Sequence, residues 1–253
     1  MLKHRVIPTL LIQNGDLIKT CKFKNPEYIG DPVNAIKIFN EKEVDELIVL
    51  DVSKSKDKLE PDYALIEEFA GECFMPLTYG GGVKNIEQAG RIFRLGVEKI
   101  CLNSLCFDNI ETIKSMVNRF GSQSIVASLD VKKSVLGGYK LQDSSNSTLY
   151  NTDYFETHLE QLLEAGVGEI MLGAIDKDGT LSGPDLKLIK KVSEGIGVPL
   201  ISVGGISSLE EIKNSVQAGA SAVAAGAFFV FHGKRRAVLI TYPPYHELEA
   251  LLN

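Results

Sequence analysis

The sequence lacks the features that would place it in a membrane or in an oxidising compartment. No apolar run approaches the roughly 20 residues that a bilayer-spanning helix needs. The first residues, MLKHRVIPTLLIQNGD, carry too short an apolar stretch for a secretory signal. The four cysteines form no C-x-x-C pair, and the four histidines have no i, i+3 or i, i+4 spacing. We therefore expect no disulfide framework, no metal site and a cytoplasmic protein.

The chain also lacks an excess of basic residues. There are 27 Lys and Arg against 33 Asp and Glu, which gives a net charge of −6. Because a nucleic-acid backbone attracts positive surfaces, this balance argues against a nucleic-acid partner. Apolar material is plentiful instead: 44% of the 253 residues are hydrophobic. That is enough for the core of one α/β barrel, which typically has about 250 residues.

Short apolar runs alternate with helical patterns along the whole chain. Strands are predicted at 5–11, 46–51, 75–80, 98–103, 124–130, 168–173, 199–203 and 221–225. Helices are predicted at 31–43, 60–71, 85–95, 108–118, 153–165, 183–195 and 208–218. Strands that are apolar throughout are typical of parallel strands covered on both faces. Eight such units favour a single-domain (β/α)8 TIM barrel over residues 1–253, and the alternative is an open doubly wound sheet. The shapes of segments 13–30 and 132–151 stay open.

An internal repeat supports the barrel. The segment PLTYGGGV at 76–83 aligns without gaps with PLISVGGI at 199–206, an offset of 123 residues. The same offset places Glu87 on Glu210 and Gly96 on Gly219. A repeat of this length predicts two duplicated half-barrels, about 1–122 and 123–253, with equivalent sites facing each other across the barrel mouth.

Glycine pairs follow the third and seventh predicted strands, and small or polar residues end the fourth and eighth. Glycine lets the backbone approach a ligand closely, and the next helix offers free N–H groups. A single Gly-Gly is explained by a tight turn, but two copies at matched strand ends favour two phosphate cradles. We therefore expect a long substrate with a phosphate at each end. The residues concerned are Gly81, Gly82, Asn103, Ser104, Gly204, Gly205, Gly226 and Ala227.

Carboxylates also stand at strand ends. Asp51 ends the second strand and Asp130 the fifth, while Asp178 follows the sixth. A polar turn explains Asp178-Gly179 equally well, but Asp130 ends an otherwise apolar strand and is the strongest candidate for a general acid or base. In the comparison of the two halves, Leu11 falls opposite Asp130. At these two matched positions the chain thus has one carboxylate and one leucine, where a two-carboxylate mechanism needs an acid at both.

The beginnings of four strands carry charges of alternating sign. Arg5, Glu46, Lys99 and Glu169 start strands one, two, four and six, with a formal sum of zero. They are expected to converge at the bottom of the barrel, where buried charges must be paired. One interpretation is a plug that stabilises this face. The other is a gate over a channel through the barrel.

Several longer motifs are collinear with a known family. They include RVIP at 5–8, GD at 15–16, Lys19, KF at 22–23, PLTYGGG at 76–82, FGSQ at 120–123, DKDGTLSG at 176–183 and GG at 204–205. Over roughly residues 1–231 the chain closely resembles the cyclase subunit of imidazole glycerol phosphate synthase.

This resemblance implies a barrel without cofactor that takes ammonia from a glutaminase subunit docked at its N-terminal face. The ammonia would pass the charged gate and react, at the other face, with a ribulosyl aminoimidazole carboxamide that carries two phosphates. Asp130 and Lys19 would be catalytic, with Lys19 on a mobile loop. The residues implied in binding phosphate or substrate are Asp51, Gly81, Gly82, Asn103, Ser104, Asp178, Gly179, Gly204, Gly205, Gly226 and Ala227.

Three positions depart from the family pattern. Leu11 stands where the family has the second catalytic aspartate, Gly173 where it has threonine and Val203 where it has serine. Ammonia delivery is thus retained while ring closure is impaired. This pattern fits paralogues that, with a glutaminase and an ATP-dependent amidating enzyme, serve amidation of a surface-glycan sugar.

The alternatives are a working cyclase of histidine biosynthesis and a non-catalytic ammonia conduit that activates the glutaminase. A related two-phosphate isomerase is a further alternative. Leu11 and the retained gate both count against the isomerase.

Overall fold

The computed structural model describes residues 4–57, 59–135, 137–233 and 235–252. The strands are β1 (Arg5–Gln13), β2 (Asp16–Cys21), β3 (Lys24–Gly30), β4 (Leu47–Asp51), β5 (Leu77–Gly80), β6 (Lys99–Leu102), β7 (Ile125–Lys133), β8 (Tyr139–Asp143), β9 (Thr148–Tyr150), β10 (Glu169–Ala174), β11 (Leu200–Val203), β12 (Ala222–Ala225), β13 (Phe231–His232) and β14 (Ala237–Val238). The helices are α1 (Pro32–Glu41), α2 (Val52–Lys56), α3 (Tyr63–Glu72), α4 (Ile86–Arg94), α5 (Ser104–Asp108), α6 (Ile110–Phe120), α7 (Thr152–Glu164), α8 (Leu186–Ser193), α9 (Leu209–Gln217), α10 (Ala227–Val230) and α11 (Tyr245–Leu252).

Eight parallel strands close into a barrel. They pair in the order β1, β4, β5, β6, β7, β10, β11 and β12, and β12 pairs again with β1. Each overlaps one of the eight predicted strands, so the predicted (β/α)8 barrel is confirmed. A closed barrel brings the C-terminal ends of all eight strands to one face.

Helix starts follow the capping chemistry of the sequence. The Asp31 side chain caps α1 by accepting from Asn34 N, with Pro32 as the first helical residue. Ser208 caps α9 in the same way. The predicted helix 108–118 corresponds to α6, and a separate short helix that was not predicted, α5, ends just before it. The break falls at Asn109, because its side chain accepts from Thr112 N and starts a new helix.

Segments 13–30 and 132–151, whose structure the sequence did not predict, form antiparallel hairpins. β2 and β3 extend β1 beyond the barrel, and β8 and β9 extend β7 in the same way. Both hairpins therefore rise from the C-terminal face, after the first and the fifth barrel strands. They occupy equivalent places in the two predicted half-barrels.

The interior of the barrel is apolar over its middle. Ile7, Ile48, Val126, Met171 and Ile201 pack together there with smaller neighbours. A separate and larger core fills the layer between the strands and the surrounding helices. In the part of the chain that the structure describes, no helix is long and apolar enough to cross a membrane.

Glycine at 205 is required by packing as well as by its backbone angle. Gly205 and Gly15 have nearly the same φ, +92° and +89°. A Cβ on Gly205 would collide with the carbonyl oxygen of Gly183, whereas one on Gly15 would meet nothing within 4 Å. We expect Gly15→Ala to cost about 1 kcal/mol for the left-handed backbone. Gly205→Ala is expected to cost about 2 kcal/mol more, from the clash.

Urea denaturation of the two variants measures this difference. Since both substitutions share the backbone cost, equal losses of unfolding free energy would contradict the packing explanation.

Candidate active site

The C-terminal ends of the strands surround one cavity of about 310 Å³. Most of the residues predicted to be catalytic or to bind substrate line it. These are Lys19, Asp51, Gly81, Asn103, Asp130, Asp178, Gly179, Gly204, Gly205, Gly226 and Ala227. Gly82 and Ser104 are not among its lining residues. The four residues predicted as a gate lie at the opposite end of the barrel.

Asp130 is buried at the end of the inward face of β7. Its Oδ2 accepts hydrogen bonds from Ser144 Oγ at 2.5 Å and from Asn103 Nδ2 at 3.2 Å. Burial raises the pKa of Asp130 to about 6, although both donors act in the opposite direction. A carboxyl group with this pKa can exchange a proton near neutral pH.

The cavity also has apolar lining residues. Leu11, Leu50, Met171 and Val203 are among them. β1 and β7 stand four strands apart in the eight-stranded barrel, so Leu11 lies across the mouth from Asp130. The asymmetry predicted from the sequence is therefore present in space. Leu11 can neither donate nor accept a proton.

The β2–β3 hairpin covers part of the cavity and is held by Asp178. Asp178 Oδ2 accepts from Thr20 Oγ1 at 2.8 Å and from Phe23 N at 3.1 Å, and its backbone oxygen accepts from Lys22 N at 2.9 Å. The same hairpin carries Lys19. The family resemblance implies that Asp178 binds phosphate or substrate. Its contact with the hairpin was not predicted, and it joins residues more than 150 positions apart.

Lys19 points into the barrel. Its Nζ donates to the backbone oxygen of Thr9 at 2.5 Å, and the side chain is buried. Burial lowers the pKa of Lys19 to about 8, and the nearby Asp178 carboxylate opposes that change. The amine can therefore lose its proton more readily than an exposed lysine.

The glycine pairs are required by the fold itself. A Cβ on Gly81 would lie 2.6 Å from the backbone oxygen of Asp51, and one on Gly82 would lie 2.7 Å from the backbone oxygen of Leu59. Gly179 packs in the same way against the backbone oxygen of Thr20. Close backbone packing thus accounts for these glycines whatever binds nearby. Their role in phosphate binding stays a prediction.

Two short helices begin at the cavity with equivalent geometry. The residues before α5 and α10 are Asn103 and Gly226, with φ and ψ of −116° and −74° and of −106° and −67°. Neither makes a side-chain cap to its helix. Uncapped N–H groups at a helix start attract anions. Phosphate binding at these two helix starts stays a prediction.

Asp51 lines the cavity and also accepts hydrogen bonds from the start of α2. Its Oδ1 accepts from Ser53 Oγ at 2.6 Å, from Ser53 N at 3.1 Å and from Lys54 N at 3.2 Å. These bonds satisfy donors in the first turn of α2. Burial nevertheless raises the pKa of Asp51.

The four charges at the strand starts form a closed ring of ion pairs. Arg5 contacts Glu46 at 2.6 Å and Glu169 at 3.1 Å, and Lys99 contacts the same two carboxylates at 3.1 and 2.8 Å. Burial lowers the pKa of Arg5, but the two glutamates outweigh it, so the pKa is raised. The predicted convergence is confirmed, although Glu46 precedes β4 by one residue. The ring closes the N-terminal end of the barrel below the apolar interior.

Fold and cavity together define a (β/α)8-barrel protein of the class that does its chemistry at the C-terminal ends of the strands. The chain belongs to the histidine biosynthesis protein family, whose model matches residues 5–235. The predicted resemblance to the cyclase-subunit family of imidazole glycerol phosphate synthase is thereby confirmed.

Three relatives cover almost the whole chain, and each is provisionally named as an imidazole glycerol phosphate synthase subunit. The hisF2 protein of Pseudomonas aeruginosa is 49% identical over 98% of this chain and 99% of the relative. The HisF protein of Leptospira interrogans is 49% identical over 99% of both chains. The hisF3 protein of Vibrio vulnificus is 47% identical over 100% of this chain and 98% of the relative.

The buried carboxyl of Asp130 should cost stability at neutral pH. Its folded pKa of about 6 lies above the value of about 3.9 in an unfolded chain. The protonated form therefore favours folding, and stability falls as pH rises through this window. We expect Asp130→Asn to raise the unfolding free energy by about 3 kcal/mol at pH 8 and by about half of that at pH 5.

Urea unfolding of both proteins at the two pH values tests this expectation. If Asp130→Asn raises the unfolding free energy equally at pH 5 and pH 8, the raised pKa of Asp130 is contradicted.

Proposed function

We propose that this chain is the ammonia-accepting subunit of a glutamine amidotransferase complex of the imidazole glycerol phosphate synthase type, serving amidation of a surface-glycan sugar. One observation carries the proposal. The ring of Arg5, Glu46, Lys99 and Glu169 is complete, while Leu11 faces Asp130 across the cavity. The parts suited to delivery are present, and one of the two acids suited to ring closure is not.

The interior of the barrel supports passage of a small neutral molecule. Above the ion-pair ring, the inward side chains of Ile7, Ile48, Val126 and Ile201 are apolar and fully buried. An ammonium ion would lose its hydration there without a compensating partner, which is costly. Neutral ammonia carries no such penalty. The ring itself must open for ammonia to enter, since both glutamates are paired with both cations.

The cavity supports chemistry with a single acid. Asp130, with its raised pKa, supplies one proton-transfer group, and Lys19 supplies a cation or an amine. Loss of one acid–base partner typically costs a factor of about 10²–10⁴. Leu11 therefore argues for a reaction in which ammonia is accepted without the ring-closing proton transfers. The uncapped starts of α5 and α10 suit a two-phosphate or nucleotide-type substrate.

A working cyclase of histidine biosynthesis is the second candidate. It is favoured by the retained Asp130 and by the matched helix starts on both sides of the cavity. A non-catalytic conduit, which would activate the glutaminase and pass ammonia on, needs only the ion-pair ring and the apolar interior.

The proposed glutaminase partner would dock around the ion-pair ring. Phe74 lies between α3 and the start of β5, at this N-terminal face, and is 86% exposed. Its backbone N–H donates to Asn40 Oδ1 at 3.0 Å, which fixes the loop. Aromatic residues, Phe among them, are enriched in protein–protein interfaces, so an exposed Phe74 at this face suits a docking contact.

We expect Phe74→Glu to weaken binding of the glutaminase at least about thirtyfold. Val135→Glu is the matched control, because Val135 is fully exposed but follows β7 on the opposite face. Isothermal titration calorimetry should use an imidazole glycerol phosphate synthase-type glutaminase from the same organism. Failure of the wild-type chain to bind it, or equal losses in the two variants, would contradict the proposed partner and face.

A further inference from the structure

The carboxyl group of Asp130 is held from two sides. Its Oδ2 accepts from Ser144 Oγ and Asn103 Nδ2, as described above. Its Oδ1 lies over Gly173 of the neighbouring β10, where a Cβ would stand only 2.6 Å away. The two donors on Oδ2 hold the carboxyl group in this orientation. A side chain at position 173 would crowd Oδ1, so Gly173 leaves room for it.

Ser144 reaches Asp130 because of the turn that joins β8 to β9. Asp143 is buried, and its Oδ1 accepts from Ser145 N at 2.9 Å and from Ser145 Oγ at 2.7 Å. Its Oδ2 accepts from Asn146 Nδ2 at 2.7 Å. The bond from Ser145 N is of the kind that fixes the conformation of a turn, and the two side-chain donors add to it. Because Asp130 pairs with Gln142 in the β7–β8 ladder, this turn lies directly beside Asp130.

The base of the hairpin, away from the turn, is also held in place. The ring of Tyr150, at the end of β9, stacks on Tyr154 at 4.2 Å and on Phe107 at 5.6 Å, with interplanar angles of 18° and 15°. Thr152 Oγ1 donates to the backbone oxygen of Tyr139 at 2.8 Å. The hairpin is thus held at its turn and at its base, so the position of Ser144 is set by the fold.

We propose that Ser144 is the positioning residue for Asp130, and that the β8–β9 hairpin is therefore part of the acid–base site. The proposal rests on the proposed function for the chemical use of Asp130. The hydrogen bond itself can be tested without substrate or partner, so failure of either idea is separately visible.

Other ionisable groups around Asp130 also act on its pKa, so the effect of the Ser144 hydrogen bond is considered together with theirs. Asp178, after β10, and Asp143, on β8, both raise the pKa of Asp130, and the buried thiol of Cys101 faces it from β6. Lys19, on β2, lines the same cavity. Ser144 and Asn103 are the hydrogen-bond donors that oppose burial and the two carboxylates. Removing the Ser144 hydroxyl should therefore raise the pKa of Asp130 by about one to two units.

The test is a pH titration of the Asp130 carboxyl carbon by NMR on aspartate-labelled protein. Asp130→Asn identifies the resonance. We expect Ser144→Ala to raise the pKa by at least about one unit and Ser144→Thr, which keeps the hydroxyl, to restore it. Ser145→Ala is the matched control, because the Ser145 hydroxyl bonds Asp143 and not Asp130. If Ser144→Ala does not fold, Ser144→Cys replaces it, since a thiol is a weaker donor.

An unchanged pKa in Ser144→Ala, or in Ser144→Cys when that variant is used, would overturn the proposal. An equal rise in Ser145→Ala would also overturn it, because the effect would then belong to the turn as a whole. Absence of turnover with any substrate leaves this titration unaffected and bears only on the proposed function.

Discussion

Every second residue of a barrel strand must face the interior, and this constraint orders the whole molecule. Along β1 the inward side chains are Arg5, Ile7, Thr9 and Leu11, each about 6.6 Å further up the strand. The first belongs to the ion-pair ring, the second to the apolar interior and the last two to the cavity. A single nine-residue strand thus crosses the ring, the interior and the mouth. A change at any one of these positions alters one layer and leaves the others in place.

That layered order allows the mouth and the base of the barrel to differ independently. Leu11, at the top of β1, has no ionisable side chain, while Arg5 at the bottom keeps both of its glutamate partners. On the other side of the mouth, Asp130 is held by hydrogen bonds from Ser144 and Asn103, and Gly173 leaves room for its Oδ1. The site is therefore asymmetric although the barrel around it repeats.

Much of this could be predicted from the sequence, because the signals are local and periodic. The apolar strands, the caps at Asp31 and Ser208 and the charges at the strand starts all follow from residue spacing. The short helix α5 was missed, because it is only five residues long and ends where α6 is about to begin. The glycine pairs were ambiguous, because the same residues satisfy backbone packing and ligand approach, and only coordinates reveal which neighbours they touch.

The contacts that escaped prediction are made by residues in turns and hairpins. Asp178 holds Thr20 across 158 positions, and Ser144 reaches Asp130 from a hairpin tip with no motif of its own. The sequence DSSN at 143–146 indicates a turn but not what the turn touches. Such contacts depend on where the fold brings two loops together.

The central claim is that the barrel retains ammonia delivery while its own ring-closing chemistry is impaired by Leu11. The most direct measurement supplies purified protein with the ribulosyl aminoimidazole carboxamide substrate and saturating ammonium, without a glutaminase, and follows substrate loss. We expect no turnover by the wild-type chain and measurable turnover by Leu11→Asp. Wild-type turnover that Asp130→Asn abolishes would contradict the claim and identify a working cyclase.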